Sequence, residues 1–285
     1  MMGRMGVFER IAIALVVLWV IAFAVTPNLM VFLTSILSPE AEDLVRMRFS
    51  LESYSRFLDP LFIAMVGQSL RLAFCATLIC LLLGYPFAYF LSGTPRANRN
   101  QLLLLLIIPF WTSSLIRTYA LIIILKANGL INSILMGLGI IDHPLKLLYT
   151  DGAVLLGLVY TLLPFMILPI YSVLEKLDNR YKEAARDLGA SRMSVFWLIT
   201  VPLSLPGVMA GMMLTFLPAL GMFYIPDILG GAKVMLVGNF IRNQFLTAGD
   251  WPLGAAASIA LNIVMAVMLF VYYKASKRVS QDALL

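Results

Sequence analysis

Residues 183–207 read EAARDLGASRMSVFWLITVPLSLPG. Glu183, Arg186, Asp187 and Arg192 crowd the first ten positions, while the chain on both sides is apolar over lengths that suit a lipid bilayer. Such a stretch fits a short helix standing in water between two membrane spans. Lys182 to Asp187 favour helix. Gly189 offers the left-handed residue that stops a helix, and Ser191 offers a side-chain oxygen to cap the next one. Charges take one face; Ala184, Ala185 and Leu188 take the other. A helix of this kind suits a groove on another protein, and the plain alternative is a solvated loop.

Working outward, the whole chain bears out the membrane setting. Its 285 residues are 61% hydrophobic and 13% charged, with mean hydropathy +0.93. A soluble domain carries about 25% charged residues. Only helices or closed barrels satisfy every backbone group in lipid, and the apolar runs here are long and continuous rather than alternating. The class expected is an all-α polytopic membrane protein. The net charge of +6 is better assigned to basic cytoplasmic loops than to nucleic-acid binding, because no basic stripe interleaved with aromatics is present. Cys75 and Cys80 stand on different sides of one apolar helix and read as packing residues. A single histidine, His143, excludes a multi-histidine metal site.

About six spans are expected, near 10–35, 62–92, 101–125, 151–174, 196–225 and 252–273. The first is read as an anchor rather than a cleaved leader, although Arg4, Arg10 and Ala22-Phe23-Ala24 imitate one. Lys and Arg collect between alternate spans: Arg96 and Arg99, then Lys176 to Arg192, then Lys274 to Arg278. That bias places both termini and the 183–207 stretch in the cytoplasm. The first outside loop is acidic, with Glu40, Glu42, Asp43, Glu52 and Asp59. Arg71 and Arg117, near span ends, are expected to snorkel. Pro86, Pro109, Pro164, Pro169 and Pro218 interrupt the spans, and so many kinks suit a bundle that encloses a path. Gly207 and Gly211 form a Gly-x-x-x-Gly for close helix approach. Segment 226–250 is glycine-rich and only moderately polar, which suits a re-entrant or surface-lying stretch.

The 183–207 stretch resembles the EAA loop of ABC importer permeases: Glu183, Ala184, Ala185 and Gly189 match, followed by Ile199 and Pro202, with Val201 where the family usually has leucine. The likeness extends along the chain. FSLESYSRFLD (49–59), PFWTSSLIRTYA (109–120), GLVYTLLPFMILPIY (157–171), DLGASRM (187–193), FYIPDILGGAK (223–233) and DWPLGAA (250–256) are similar to B-type permease subunits of spermidine/putrescine importers. The resemblance implies a type I ABC importer permease bundle in a bacterial inner membrane. It divides the chain into an N-terminal transmembrane helix with an acidic periplasmic loop (1–61) and a core bundle (62–285) that contains the cytoplasmic coupling loop 175–197. Glu183, Ala184, Ala185, Asp187 and Gly189 are then the ATPase-coupling residues. The implied partners are a second permease subunit of the same family, two copies of a cytoplasmic ATPase and a periplasmic binding protein. Related importers of iron, sulfate, molybdate or thiamine share the coupling loop but less of the other segments.

The function expected is half of a polyamine translocation path. No Gly-x-x-x-x-Gly-Lys-Ser/Thr loop is present, so no cofactor is expected on this chain, and ATP with Mg is expected on the ATPase. An embedded enzyme would need clustered acids, bases or metal ligands, and an independent secondary transporter would need intramembrane ionisable relays; the spans offer few of either. A path for linear cations needs sparse negative charge and aromatic faces, held weakly enough to release them. Asp227 leads the acidic candidates, with Tyr224 three residues before it. Asp250 is second, or else a helix cap. Trp111, beside Thr112, Ser113 and Ser114, leads the aromatics, followed by Tyr119, Tyr54 and Tyr160.

Overall fold

The computed structural model describes residues 7–38 and 46–282. Arg4, Glu40, Glu42 and Asp43 lie outside the described residues. In chain order the elements are α1 (Val7–Val20), α2 (Thr26–Ser35), β1 (Leu37–Ser38), β2 (Arg46–Phe49), α3 (Glu52–Ser55), α4 (Pro60–Gly93), α5 (Arg96–Ile107), α6 (Ser114–Leu125), α7 (Leu130–Gly137), α8 (Asp151–Lys176), α9 (Asn179–Asp187), α10 (Arg192–Val195), α11 (Val201–Gly221), α12 (Val237–Asn243) and α13 (Trp251–Asp282). Among the described residues the fold is helical apart from one short antiparallel ladder in which Leu37 faces Phe49.

Among the described residues six helical segments are long and apolar enough to cross a membrane: Ile11–Ser35, Pro60–Gly93, Ser114–Gly137, Asp151–Lys176, Arg192–Gly221 and Trp251–Lys274. Five agree with the runs read from the sequence. The third does not, because the run expected at 101–125 is broken. Pro109 supplies no backbone donor, and Ile108–Trp111 tightens into a 3-10 turn. Thr112 turns extended and donates from Oγ1 to the Pro109 carbonyl at 2.8 Å. A new helix, α6, then starts at Ser114 and is followed after a short turn by α7. Pro86, Pro164, Pro169, Pro206 and Pro218 sit inside continuous helices.

The chain divides into two compact units, Met1–Ile63 with Phe240–Ile263, and Ala64–Asn239 with Val264–Leu285. In the larger one α8 forms the axis: 61% of its apolar window is buried, against 33% for the windows of α4 and of the Arg192–Gly221 segment. It packs on α11 through the Gly-x-x-x-Gly. A Cβ on Gly207 would stand 2.9 Å from the Pro169 carbonyl oxygen, and one on Gly211 would stand 3.0 Å from that of Met166. The missing side chains therefore let two backbones touch, as membrane helices commonly do. Tyr85 of α4 and Ser204 of α11 share a hydroxyl–hydroxyl hydrogen bond at 2.9 Å. After α11 the chain makes a π-helical turn, Pro226–Gly230, and a 3-10 turn, Gly231–Lys233, before α12. Leu229, Val234, Leu236 and Val237 are buried there, and the Val237 N–H donates to Ser69 Oγ at 2.9 Å. Irregular backbone at such depth persists because protein, not lipid, surrounds it.

In the smaller unit α1 and α2 join through a π-helical turn, Ile21–Val25. None of this span's window is buried, so its apolar surface is left for lipid or another chain. Ser35 and Tyr54 hydrogen-bond through their hydroxyls at 2.8 Å. Phe57 stacks on Phe62 at 4.5 Å, and Phe62 meets Phe240 edge-on at 5.5 Å.

Candidate functional site

Two features of the larger unit stand at opposite ends of α8. Its 26 residues separate them by about 39 Å along the axis, at about 1.5 Å per residue.

At the Lys176 end lies α9. Asp178 caps it, accepting from the Arg180 N–H at 2.9 Å. Gly189, at φ +86°, closes it. The Ala190 N–H reaches back to the Ala185 carbonyl at 3.0 Å, and the Gly189 N–H reaches the Arg186 carbonyl at 2.9 Å. This is the paired-bond stop that a left-handed glycine permits. Ser191 then caps α10, accepting from the Ser194 N–H at 3.1 Å. Both breaks read from the sequence are where they were expected; the Asp178 cap was not foreseen. No residue of α9 is buried, and Leu188, just past it, is 90% exposed. Glu183, Ala184 and Asp187 are exposed and Ala185 is half-buried. At the foot of the helix Lys182 faces the Tyr89 ring at 6.0 Å. Burial, and then the neighbouring Arg186 charge, lowers the pKa of its ammonium. The arrangement is a rigid, capped helix with an open apolar face.

At the other end a cavity of about 520 Å³ opens among Tyr119, Tyr149, Asp227, Gly231, Lys233 and two isoleucines. Asp227 sits in the first position after Pro226 of the π-helical turn. Asn239 holds it: its Nδ2 donates to Asp227 Oδ1 and, at 2.9 Å, to the Phe223 carbonyl. The Asn239 amide oxygen is buried and accepts from no described group. Tyr224 is fixed nearby in sequence by a hydroxyl–hydroxyl hydrogen bond to Ser114 at 2.6 Å. Asp227 and Tyr119, two of the path candidates read from the sequence, thus line one cavity, together with Tyr149, which the sequence did not single out. That residue has φ +61°, the one non-glycine at positive φ among the described residues. For an L-residue with a bulky side chain this costs roughly 1–2 kcal/mol.

The other candidates go elsewhere. Trp111, 78% exposed, closes the 3-10 turn before α6 and does not line this cavity. Tyr160 is occupied by Arg117, whose guanidinium lies 5.6 Å from its ring and 5.3 Å from that of Phe110. Arg117 is therefore held between aromatics rather than snorkelling. Arg71 pairs through Nη2 with Asp151 at 2.5 Å. Tyr54 and Asp250 belong to the smaller unit. Asp250 accepts from Arg56 at 2.8 Å and from the Leu253 N–H at 3.1 Å, so it caps α13 and carries an ion pair.

Residues 80–281 match the family described as binding-protein-dependent transport system inner membrane component. The spermidine/putrescine transport system permease protein PotB of Escherichia coli is 52% identical over 265 residues, covering 93% of this chain and 96% of its own. The protein of the same name from Haemophilus influenzae is 47% identical over 270 residues, covering 95% and 94%. Among solved structures, a bacterial ABC transporter involved in the import of the acidic polysaccharide alginate superposes with a TM-score of 0.79 at 16% identity, covering 94% of each chain.

Proposed function

Because the chain belongs to the family of inner-membrane components of binding-protein-dependent transport systems, we propose that it forms half of an ATP-driven import path for spermidine and putrescine. It is an inner-membrane permease subunit and not an enzyme; ATP is hydrolysed on a separate ATPase subunit. The observation that carries the substrate is the likeness to polyamine permeases at about half identity along nearly the whole chain. The cavity beside Asp227 is chemically consistent with it: one carboxylate for an ammonium group, tyrosine faces for cation–π contact, and Lys233 to keep the net charge low enough for release.

In the mechanism proposed, α9 seats in a cleft of the ATPase, with Ala184, Ala185 and Leu188 covered there and Glu183 and Asp187 setting the charge match. Only Leu177 and Asp178 separate α9 from α8, and caps at both ends keep it stiff. A displacement of α9 is therefore handed to α8, and through the Gly207 and Gly211 contact to α11. The Asp227 turn follows α11 within a few residues. ATP-driven motion at one end thus reaches the cation-holding cavity through one packed helix pair. A second permease subunit of the same family completes the path, two ATPase copies drive it, and a periplasmic binding protein delivers the substrate.

The test is uptake of radiolabelled spermidine and putrescine by proteoliposomes that hold the whole complex and its binding protein. Competition by other polyamines and none by sulfate is the expected result. ATP-dependent uptake of a different solute with no polyamine uptake would refute the proposal.

A further inference from the structure

We propose that Tyr149 is the aromatic face of an ammonium-binding site completed by Asp227 and Tyr119, and that this site takes one terminal ammonium of a linear alkylpolyamine. The inference rests on the polyamine reading above and adds a residue that the sequence motifs do not mark.

Tyr149 is held from three sides. Its N–H donates to the Leu229 carbonyl at 2.9 Å. Thr150, the next residue, caps α8 by accepting from the Ala153 N–H at 3.2 Å. Its ring lies against Gly231, where any added Cβ would come within 2.8 Å of the ring carbon Cδ1. Gly231 is itself at φ +57°. Two left-handed residues, distant in the chain, are thus fitted to each other.

A turn of this shape asks for glycine or asparagine. Tyrosine takes the conformation at a cost, and burial does not offset that cost, since the side chain is 49% exposed. What the strained backbone achieves is to stand a ring in a cavity that also holds a carboxylate and a second tyrosine. Strain concentrated beside such a group is the usual mark of a binding position. The chemistry that joins a tyrosine face, a carboxylate and an alkyl wall of isoleucine is that of an ammonium on a methylene chain. Lys233 on the same wall makes the site weak, as a station on a path must be.

The experiment uses the complete importer in proteoliposomes with saturating, substrate-loaded binding protein. Tyr149→Phe keeps the ring, and uptake of spermidine stays within about twofold. Tyr149→Gly removes the ring but suits the left-handed backbone; uptake falls roughly tenfold, the scale of one cation–π contact. The thermal midpoint of the Tyr149→Gly complex stays level or rises, and its ATPase activity persists. Tyr149→Gly transporting at the wild-type rate, or losing thermal stability along with transport, would overturn the assignment and make Tyr149 a packing residue. These outcomes are read against wild-type complex that does transport spermidine. A wild type that does not would count against the proposed function itself.

Discussion

Arg99 of α5 donates from Nη2 to Glu175 Oε1 of α8 at 3.0 Å, one turn of helix before α9 begins. The arginine side chain is only 12% exposed, and its Nε is buried without a partner. Removing the carboxylate leaves a mostly buried guanidinium unpaired, which costs more than the pair itself contributes. Glu175→Gln, which keeps the shape, should therefore lower unfolding stability by about 1–2 kcal/mol, read as a drop in the thermal midpoint in detergent. An unchanged midpoint would show that solvent already satisfies Arg99.

Glu183→Lys reverses a charge on the exposed face of α9 and touches no buried residue. The subunit should insert and fold normally. Polyamine uptake and stimulated ATPase activity should both be lost, and the ATPase should no longer copurify at normal yield. Normal uptake with this variant would remove the docking assignment.

Asp227→Asn should reduce polyamine uptake without preventing assembly, while the binding protein's affinity for substrate is unchanged. A carboxylate contributes about 1 kcal/mol to an ammonium contact in water and more where water is excluded. Asp250→Asn gives the contrast. It weakens the Arg56 pair and alters the α13 cap, so it should lower thermal stability and leave uptake per folded complex unchanged. If uptake tracks Asp250 and not Asp227, the path lies elsewhere.

Cysteine labelling checks the proposed orientation. Ser191→Cys should react with an impermeant maleimide only from the cytoplasm. For the opposite side Leu51, 69% exposed in the loop before α3, is the accessible position. Leu51→Cys should react only from the periplasm. The reverse pattern would invert the topology and place α9 out of the ATPase's reach.

The features legible in the sequence were those decided over short range or by summed composition. Five spans were readable because hydrophobicity accumulates over about twenty residues. Gly189 and Ser191 were readable because helix stops and caps are made by the residue itself and its near neighbours. The third span was misread because hydropathy is blind to the donor that Pro109 lacks. Asp227 and Asp250 look alike in sequence, each acidic and next to a helix; what separates them is Asn239 for one and Arg56, 194 residues away, for the other. Tyr149 gave no local signal at all. Its conformation is imposed by Leu229 and Gly231, some eighty positions on.

A helix with no buried residue takes its stiffness from its own hydrogen bonds and caps, and leaves its apolar face free. Leu188, just past α9, is left as a nearly bare leucine that any apolar surface can take up. Under the proposed docking the same surface is covered on assembly, so a bare α9 distinguishes a lone subunit from an assembled one.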